Sequence, residues 1–289
     1  MIPEELASAI RSCITGDIAS ARSVSGGSIN QAAKLTLSDG RECFLKWNRT
    51  ADPRMFVVEE KGLDLLKSAK TGLRVPEVLA TGKTESGTGF LLQEFVKESR
   101  SKSDSAKSFG EELAQLHHNH SEKYGLDHHN YIGRLPQSNS WRESWVDFFI
   151  EERMQPQLKR AMDDGKLGTD TRSLFEAMYK KLPEIFPDEP PSLLHGDLWG
   201  GNYFYDNEGK ATIYDPAVYY GHREIELAFT HLFGGFSGGF YREYENAYPL
   251  EDNFSERKDI YNLYPLLVHT NLFGGSYGRQ VESIVRRFG

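Results

Sequence analysis

The sequence lacks the marks of a secreted or membrane-spanning protein. Its 289 residues include only two cysteines, Cys13 and Cys43, which form no close pair and cannot build a thiolate metal site alone. No stretch approaches the roughly 20 apolar residues that a membrane span needs, and the N-terminus has no basic region followed by an apolar run. These absences predict a cytoplasmic protein without a membrane partner.

The sequence also has fewer basic than acidic residues. The 34 Lys and Arg residues are outnumbered by 42 Asp and Glu residues, which gives a formal net charge of -8. Proteins that bind nucleic acids usually cluster Lys and Arg against the phosphates, so no nucleic-acid partner is expected. The composition, with 26% charged and 38% hydrophobic residues, is that of an ordinary globular protein, and it leaves the oligomeric state open.

The first third of the chain has the pattern of a mixed α/β region. A helix is predicted over Glu4–Cys13, and strand-like runs at Ala32–Leu37 and Glu42–Trp47 are joined by an Asp-Gly turn signal. Apolar residues at helical spacing follow within residues 55–69, and two further strand-like runs come before residue 96. These elements predict an antiparallel sheet with one helix across it.

Beyond a Ser/Lys-rich stretch at residues 99–108, the pattern becomes mostly helical. Trp145–Met162 and Leu174–Leu182 are predicted helices, and a strand-rich passage at residues 192–216 lies between Pro-rich breaks. The chain is therefore predicted to be an α+β protein with two parts. The first part is residues 1–96, with the sheet and a helix, and the second is residues 97–289, mostly α.

The strongest chemical signal lies in the strand-rich passage. Asn202 stands five positions after Asp197 and begins a strand-like run, and a second such run ends at Asp215. A hairpin would bring Asn202 and Asp215 together. In phosphoryl transfer, divalent ions are held by hard oxygen ligands while a separate Asp accepts the hydroxyl proton. The pattern predicts Asp197 as the catalytic base and Asn202 and Asp215 as Mg²⁺ ligands.

The spacing also matches the kinase catalytic loop, H-R-D-x-x-x-x-N, with Gly196 in the Arg position. Asp215 matches the Asp of the D-F-G motif, with Pro216 where Phe usually stands. Turn formation is the alternative explanation, since Asp and Asn are common in turns. We favour catalysis because a turn would not require Asp at both of these offsets.

Segments spread over nearly the whole chain carry a family resemblance. They are SGGSIN at 25–30, FLKW at 44–47, MFVVEEKGLDLL at 55–66, LAQLHH at 113–118, LLHGDLWGGN at 193–202, YDPAVYYGHREIELA at 214–228, LFGGF at 232–236 and HTNLFGGSY at 269–277. Through them the chain resembles the fructosamine kinase (ketosamine-3-kinase) family, within the aminoglycoside-phosphotransferase and protein-kinase-like fold. The resemblance implies two lobes, an N-lobe and a C-lobe, with an ATP site between them.

The resemblance also implies which residues bind ATP. Lys46 is expected at the α- and β-phosphates, with Glu59 on the next helix as its ion-pair partner and Glu60 as the alternative. Neighbouring helical residues face about 100° apart, so only one of the two can point at Lys46. The other expected nucleotide contacts are the phosphate-covering loop with Gly26, Gly27 and Ser28, and the backbone of Gln93, Glu94 and Phe95 at the adenine edge.

The expected substrate residues are Trp199, His269 and Asn271. An aromatic face at Trp199 could stack on a sugar or lie against a cationic amine, and a core role for this residue is the alternative. Residues that follow Asp215 in the family-like run are expected to be more structural than catalytic; they are Tyr219, Tyr220, Arg223 and Glu224.

Several histidines could suggest a metal cluster, but no H-E-x-x-H pattern is present. We expect them to be solvated or capping residues instead, and His195 to pack within the catalytic loop. The clustered histidines are His117, His118, His120, His128 and His129.

The implied function is phosphorylation of a ketosamine at O3 with ATP and Mg²⁺, where the substrate is a fructosyl or ribulosyl adduct of a protein-bound or free amine. In the family, the products decompose and release the amine, which amounts to deglycation. One alternative is a kinase of another hydroxyl compound, such as an aminoglycoside, choline or homoserine, and the WGG and FGG elements disfavour it. The other is a catalytically silent nucleotide-binding regulator, which the intact Lys46, Asp197, Asn202 and Asp215 disfavour.

Overall fold

The computed structural model describes residues 2–24, 29–99 and 106–289. The expected phosphate-covering residues Gly26, Gly27 and Ser28 lie outside the described residues. No helix within the described ranges combines the length and apolar character needed to cross a bilayer.

The chain divides into two compact units that are each discontinuous in sequence. One unit comprises Met1–Ser105 and Phe204–Pro216, and the other comprises Ala106–Tyr203 and Ala217–Gly289. The short segment Phe204–Pro216 therefore belongs with the first part of the chain, although residues 106–203, which separate the two in sequence, belong to the other unit.

The described elements are eleven helices and eleven strands, together with one π-helical segment at Phe149–Met154. The helices are α1 (Glu4–Cys13), α2 (Arg54–Ser68), α3 (Ala106–His117), α4 (Trp145–Phe148), α5 (Gln155–Asp163), α6 (Thr171–Tyr179), α7 (Leu182–Ile185), α8 (Arg223–Thr230), α9 (Gly238–Ala247), α10 (Phe254–Phe273) and α11 (Ser276–Phe288). The strands are β1 (Ile18–Ser23), β2 (Gln31–Leu37), β3 (Glu42–Asn48), β4 (Val78–Lys83), β5 (Gly89–Glu94), β6 (Asn130–Ile132), β7 (Leu135–Gln137), β8 (Ser192–Leu194), β9 (Tyr203–Tyr205), β10 (Ala211–Ile213) and β11 (Tyr219–Gly221).

The first unit is built on a five-stranded antiparallel sheet in the order β1-β2-β3-β5-β4. The predicted hairpin of β2 and β3 is present, and its turn uses Gly40 at φ 87°, a backbone conformation that glycine adopts without strain. Helix α1 packs Leu6 and Ile10 against apolar side chains of one sheet face, among them Leu35 and Leu45. Because side chains alternate along a strand, Lys46 on β3 points to the opposite face.

Arg74 makes several of the contacts that attach the segment Phe204–Pro216 to the rest of the first unit. The Arg74 guanidinium donates to Asp206 at 2.9 Å and to Glu94 at 3.2 Å. Its backbone N–H donates to the carbonyl of Ala211 at 2.8 Å, and its own carbonyl accepts from the N–H of Ile213 at 2.9 Å. One residue therefore contacts both strand β10 and the turn of the β9–β10 hairpin.

Mostly helices form the second unit. Helix α3 packs along α9, and α10 contacts α5, α8 and α11. Strands β8 and β11 pair antiparallel, with Leu194 opposite Tyr219, at the point where the chain enters the passage with Asp197. The predicted continuous helix Trp145–Met162 is wrong in one respect, since α4 and α5 are separated by the π-helical segment.

A second helix boundary also differs from the prediction. The expected helix Leu174–Leu182 is divided, with α6 ending at Tyr179 and α7 starting at Leu182. Pro183 explains the break, because a proline lacks the N–H that would continue the helix but is tolerated in the first turn of a new one.

The attachment by Arg74 leads to a stability prediction. Asp206 is fully buried, and its carboxylate also accepts from the backbone N–H groups of Glu208 and Lys210, both at 2.9 Å. Burial alone would raise the pKa of Asp206, but the hydrogen bonds from Arg74 and the turn outweigh it and lower that pKa. The substitution Asp206→Asn is expected to lower the free energy of unfolding by about 2 kcal/mol at pH 7.

Urea unfolding of wild type and Asp206→Asn at a series of pH values measures this effect. A lowered folded-state pKa stabilises the protein above the ordinary carboxyl pKa, so the difference between the proteins should shrink as the pH falls through the folded-state value. Glu208→Gln changes an exposed carboxylate in the same turn and is the matched control. Equal stability of wild type and Asp206→Asn at pH 7 would contradict the proposed attachment.

Candidate active site

The backbone before Asp197 can only be made with glycine. Gly196 has φ 83°, and a Cβ atom built on it would lie 2.1 Å from the carbonyl oxygen of Ala217. That approach is fixed by the neighbouring hydrogen bond, in which the Ala217 N–H donates to the His195 carbonyl at 2.9 Å. The arginine that stands here in the H-R-D pattern would not fit this backbone.

A buried carboxylate from α8 holds the same loop. Glu226 accepts the N–H of Gly196 at 2.6 Å through Oε1 and the N–H of His195 at 3.2 Å through Oε2. Its Oε2 also accepts from Nε2 of His117 at 2.9 Å, and Nδ1 of that histidine accepts from the Tyr244 hydroxyl at 2.7 Å. Three donors therefore converge on one carboxylate immediately before Asp197.

Burial and hydrogen bonding together set the protonation states of Glu226 and His117. Burial opposes ionisation of Glu226, but the hydrogen bonds from His117 and from the loop lower its pKa below the ordinary value. Burial also lowers the pKa of His117, which is completely inaccessible, so its imidazole is neutral and Nε2 carries the proton. The expectation that His117 is a solvated or capping residue was wrong, because its side chain is completely buried and both of its ring nitrogens contact buried side chains.

Asn202 is held to the candidate base. Its Nδ2 donates to the Asp197 carbonyl at 2.8 Å and to the Asp197 carboxylate Oδ2 at 3.0 Å. The amide nitrogen is thus engaged, and the amide oxygen is the atom that can serve as a cation ligand. Asn202 belongs to the second unit, whereas Asp215 belongs to the first.

Asp197 lines a pocket within the second unit. Other walls of this pocket come from Gly196, Tyr219, Tyr264 and His269. Asp197 and His269 are thus two of the predicted site residues that share one cavity. Sequence reasoning gave Tyr264 no role.

The remaining two substrate candidates differ in position. Trp199 is partly exposed, and its ring contacts that of Phe233 with centroids 6.0 Å apart. Asn271 is buried, and its Nδ2 donates to the carbonyl of Gln157 at 2.9 Å and to its Oε1 at 2.8 Å. Those bonds tie α10 to α5, so Asn271 has a packing role in this structure.

The charged cluster of the first unit centres on Lys46. Its Nζ donates to Glu59 at 2.5 Å and to Asp215 at 2.5 Å, while Glu60 accepts from the Thr81 hydroxyl at 2.6 Å. Of the two neighbouring glutamates, Glu59 is therefore the one that pairs with Lys46. Burial would lower the pKa of Lys46, but the two carboxylates outweigh it and raise that pKa, so the lysine is charged.

Two carboxylates competing for one lysine set the protonation of Glu59. Burial raises the pKa of Glu59 to about 7, the positive charge of Lys46 works against this rise, and the negative charge of Asp215 adds to it. Asp215 itself is 43% exposed in its side chain and has φ 57°, a left-handed conformation that Asp tolerates better than most residues. A divalent cation on Asp215 would relieve this competition, so the donor chemistry of the cluster fits Mg²⁺.

Two of the backbone donors expected at the adenine edge already have partners within the first unit. The N–H of Glu94 donates to the Glu77 carbonyl at 2.9 Å, and the N–H of Phe95 donates to the Glu42 carbonyl at 3.2 Å. Both donors are therefore used within the sheet and its edges. Gln93 is buried on β5, with its Nε2 lacking a hydrogen-bond partner among the described residues.

Comparison with solved structures first defines the class of fold. The crystal structure of the aminoglycoside phosphotransferase APH(4)-Ia matches this chain with a TM-score of 0.66 at 15% sequence identity, covering 99% of this chain and 99% of that one. At this identity the similarity concerns the fold alone. It confirms the predicted α+β, protein-kinase-like fold.

Closer similarities define the family. The family described as fructosamine kinase matches residues 4–288. A crystal structure of a proposed fructosamine-3-kinase from Thermobifida fusca gives a TM-score of 0.88 at 30% identity, covering 99% of this chain and 98% of that one. A "Probable ketoamine kinase" of Synechocystis sp. is 39% identical over 268 residues, which are 92% of this chain and 89% of that protein. The chain belongs to the fructosamine kinase family.

The hydrogen bonds of Glu226 give a prediction about catalysis. Glu226→Gln replaces one acceptor oxygen by a donor, which would face the loop N–H groups and displace Asp197. A misplacement of this kind is expected to lower kcat of phosphoryl transfer about 100-fold with little change in either KM. Steady-state kinetics of the purified variant measures the split between kcat and KM.

Another buried carboxylate on α8 provides the control. Glu224 pairs with Arg257 at 2.5 Å and makes no contact with the loop N–H groups among the described contacts. Glu224→Gln should therefore lower thermal stability while kcat stays near the wild-type value. A folded Glu226→Gln variant with normal kcat would exclude a positioning role for Glu226.

The raised pKa of Glu59 gives a prediction about pH and stability. Its folded-state pKa of about 7 lies above the ordinary value of 4.5, so the folded state binds more protons between these values and stability falls as the pH rises. The free energy of unfolding of wild type, relative to Glu59→Gln, should decrease from about pH 4.5 to about 7 and then level off.

Denaturant unfolding across this pH range tests the expectation. Glu60→Gln changes the adjacent carboxylate on the same helix and is the matched control. The assignment fails if the wild-type curve stays parallel to the Glu59→Gln curve throughout.

Proposed function

We propose that this protein is a ketosamine kinase, which transfers the γ-phosphoryl group of ATP to a sugar hydroxyl of an amine-linked ketose. Membership of the fructosamine kinase family supports the substrate class. The observation that carries the catalytic part is the pocket with Asp197, whose backbone is fixed from α8 by Glu226 and whose carboxylate contacts Asn202.

Asp197 is proposed as the general base. Its carboxylate would accept the proton of the attacking hydroxyl as that oxygen bonds to phosphorus. Holding the carboxylate in place is the larger part of the task, because phosphoryl transfer depends mainly on positioning and charge stabilisation. Glu226 and Asn202 supply this positioning, one through the backbone and the other through the side chain.

Asp215 and Asn202 are proposed to hold Mg²⁺, and Lys46 is proposed to contact the nucleotide phosphates. Bound Mg·ATP supplies the phosphoryl group and neutralises charge on its oxygens. Glu59 keeps Lys46 charged and oriented in this scheme, through the ion pair that the first unit contains. The adenine contacts are left to groups other than the N–H donors of Glu94 and Phe95.

The direct test is ADP release from ATP in the presence of a fructosyl- or ribulosyl-amine, with the free sugar and the free amine as separate controls. Turnover that requires both Mg²⁺ and the adduct would support the proposal, and mass spectrometry of the product would identify the phosphorylated hydroxyl. Turnover only with aminoglycosides, choline or homoserine would replace the substrate class. Nucleotide binding without turnover on any of these compounds would favour a regulator.

Substitution of the proposed base, Asp197, should separate catalysis from ATP binding. Asp197→Asn keeps the size of the side chain and removes its basicity, so kcat should fall by at least about 100-fold while the affinity for ATP stays close to wild type. Equilibrium binding of a fluorescent ATP analogue measures the affinity. Asp188→Asn, at an exposed aspartate of the same unit, should leave both quantities unchanged. Near-normal turnover by folded Asp197→Asn would remove Asp197 from the base role.

A further inference from the structure

Three segments of the second unit share one unusual sequence feature, an aromatic residue followed by two glycines. They are Trp199-Gly200-Gly201, Phe233-Gly234-Gly235 and Phe273-Gly274-Gly275. They are far apart in sequence, and each stands at or near the end of a regular element. The proposed phosphoryl transfer uses none of the three aromatic rings.

The structure brings these rings together. Trp199 contacts Phe233 with ring centroids 6.0 Å apart, Phe233 contacts His269 at 4.7 Å, and His269 contacts Phe273 at 5.5 Å. Tyr277 completes the group, with its centroid 5.1 Å from that of His269 and 6.3 Å from that of Phe233. We refer to these five residues as the aromatic ledge.

The ledge begins at the catalytic pocket and is accessible to solvent. His269 lines the pocket that contains Asp197, so the ledge is continuous with the candidate base. Phe273 is 54% exposed, and the other four residues are partly exposed. An exposed group of five rings is rare on a globular surface unless it binds something.

The glycines beside the ledge have special backbone positions. Gly234 and Gly274 have φ 98° and 67°, and a Cβ atom on either would meet nothing within 4 Å. At Gly201, by contrast, a Cβ atom would lie 2.3 Å from the Trp199 ring, so glycine allows that ring to fold over the backbone. The glycines therefore permit the backbone turns after Phe233 and Phe273 and the position of the Trp199 ring.

The ledge also has the electrostatic character of a cation site. Burial lowers the pKa of His269, whose Nδ1 donates to the Pro265 carbonyl at 2.8 Å, so the imidazole is neutral and adds an aromatic face without a charge. Among the described contacts, no lysine or arginine of the chain lies over a ring of the ledge. No described lysine or arginine therefore competes for these rings, and the net charge of -8 favours the approach of a cation from outside.

We propose that the aromatic ledge binds the protonated secondary amine of the substrate. This inference rests on the proposed ketosamine kinase function. In a ketosamine the amine is on C1, two carbons from the O3-bearing carbon, so a substrate whose O3 meets Asp197 must place its ammonium at the rim of the same pocket. The ledge would thereby distinguish an amine adduct from the free sugar.

The test compares two substrates that differ in charge. One is the fructosyl adduct of butylamine, which is protonated at neutral pH, and the other is its N-acetyl derivative, which has the same sugar and chain without the charge. Phe273→Leu keeps apolar bulk and removes the ring, whereas Phe273→Tyr keeps the ring. Trp141→Leu, at a 40% exposed aromatic elsewhere in the unit, is the control.

Phe273→Leu is expected to raise KM for the charged adduct about fivefold, and Phe273→Leu with Tyr277→Leu about 20-fold, with kcat and KM for ATP unchanged. Phe273→Tyr and Trp141→Leu should behave as wild type, and KM for the N-acetyl derivative should not respond to any variant. Equal increases for both substrates, or no increase for either, would overturn the proposal.

Calorimetric titration of the same two compounds without ATP separates this proposal from the proposed function. Binding of the charged adduct that weakens in the leucine variants supports the ledge even if wild type shows no turnover, a result that would reject only the kinase activity. Absence of any binding by the adduct to wild type would overturn the ledge itself.

Discussion

The loop that presents Asp197 in the second unit depends on one buried carboxylate. Glu226 lies on a helix whose residues are all buried, and it accepts hydrogen bonds from two consecutive loop N–H groups and from a neutral histidine. An ionised group in that position is stable only because all three donors reach it. In turn, the backbone turn at Gly196 is fixed, and Asp197 and Asn202 are presented at the pocket. The chemistry of the loop therefore depends on the packing of α8.

Much of the fold could be predicted from periodicity and turn chemistry. Helix Glu4–Cys13 and the hairpin after it follow from local patterns, because the apolar spacing and the Asp-Gly turn act within a few residues. The π-helical segment Phe149–Met154 could not be predicted, since a register change inside a helix leaves the spacing of its apolar residues nearly unaltered. Nearby, Arg153 is completely buried and donates to Asn139, a contact that only the tertiary structure creates.

The candidate site also has one part that the sequence predicts and another that only the tertiary structure shows. The spacing of Asp197 and Asn202 is local and could be recognised, whereas Glu226 lies 30 residues beyond Gly196 and looks like an ordinary acidic residue in its helix. His117 is a similar case, because a histidine beside others at a helix end resembles a solvated residue until its partners are known. The backbone hydrogen bonds of Glu94 and Phe95 could not be predicted either. A sequence does not show which N–H groups at the end of a strand already donate to other backbone carbonyls.

The discontinuity of the first unit has a consequence for how the chain is made. A ribosome synthesises from the N-terminus, so the sheet of the first unit emerges early, but Asp206 and the strand that pairs with Arg74 are added only after the intervening helices have been translated. Until then Arg74 lacks its buried partner, and Lys46 lacks Asp215, the second of its two carboxylate partners. The nascent N-terminal region is therefore an incomplete folding unit, and a truncated product that stops before residue 204 would be a natural client for chaperones or proteases.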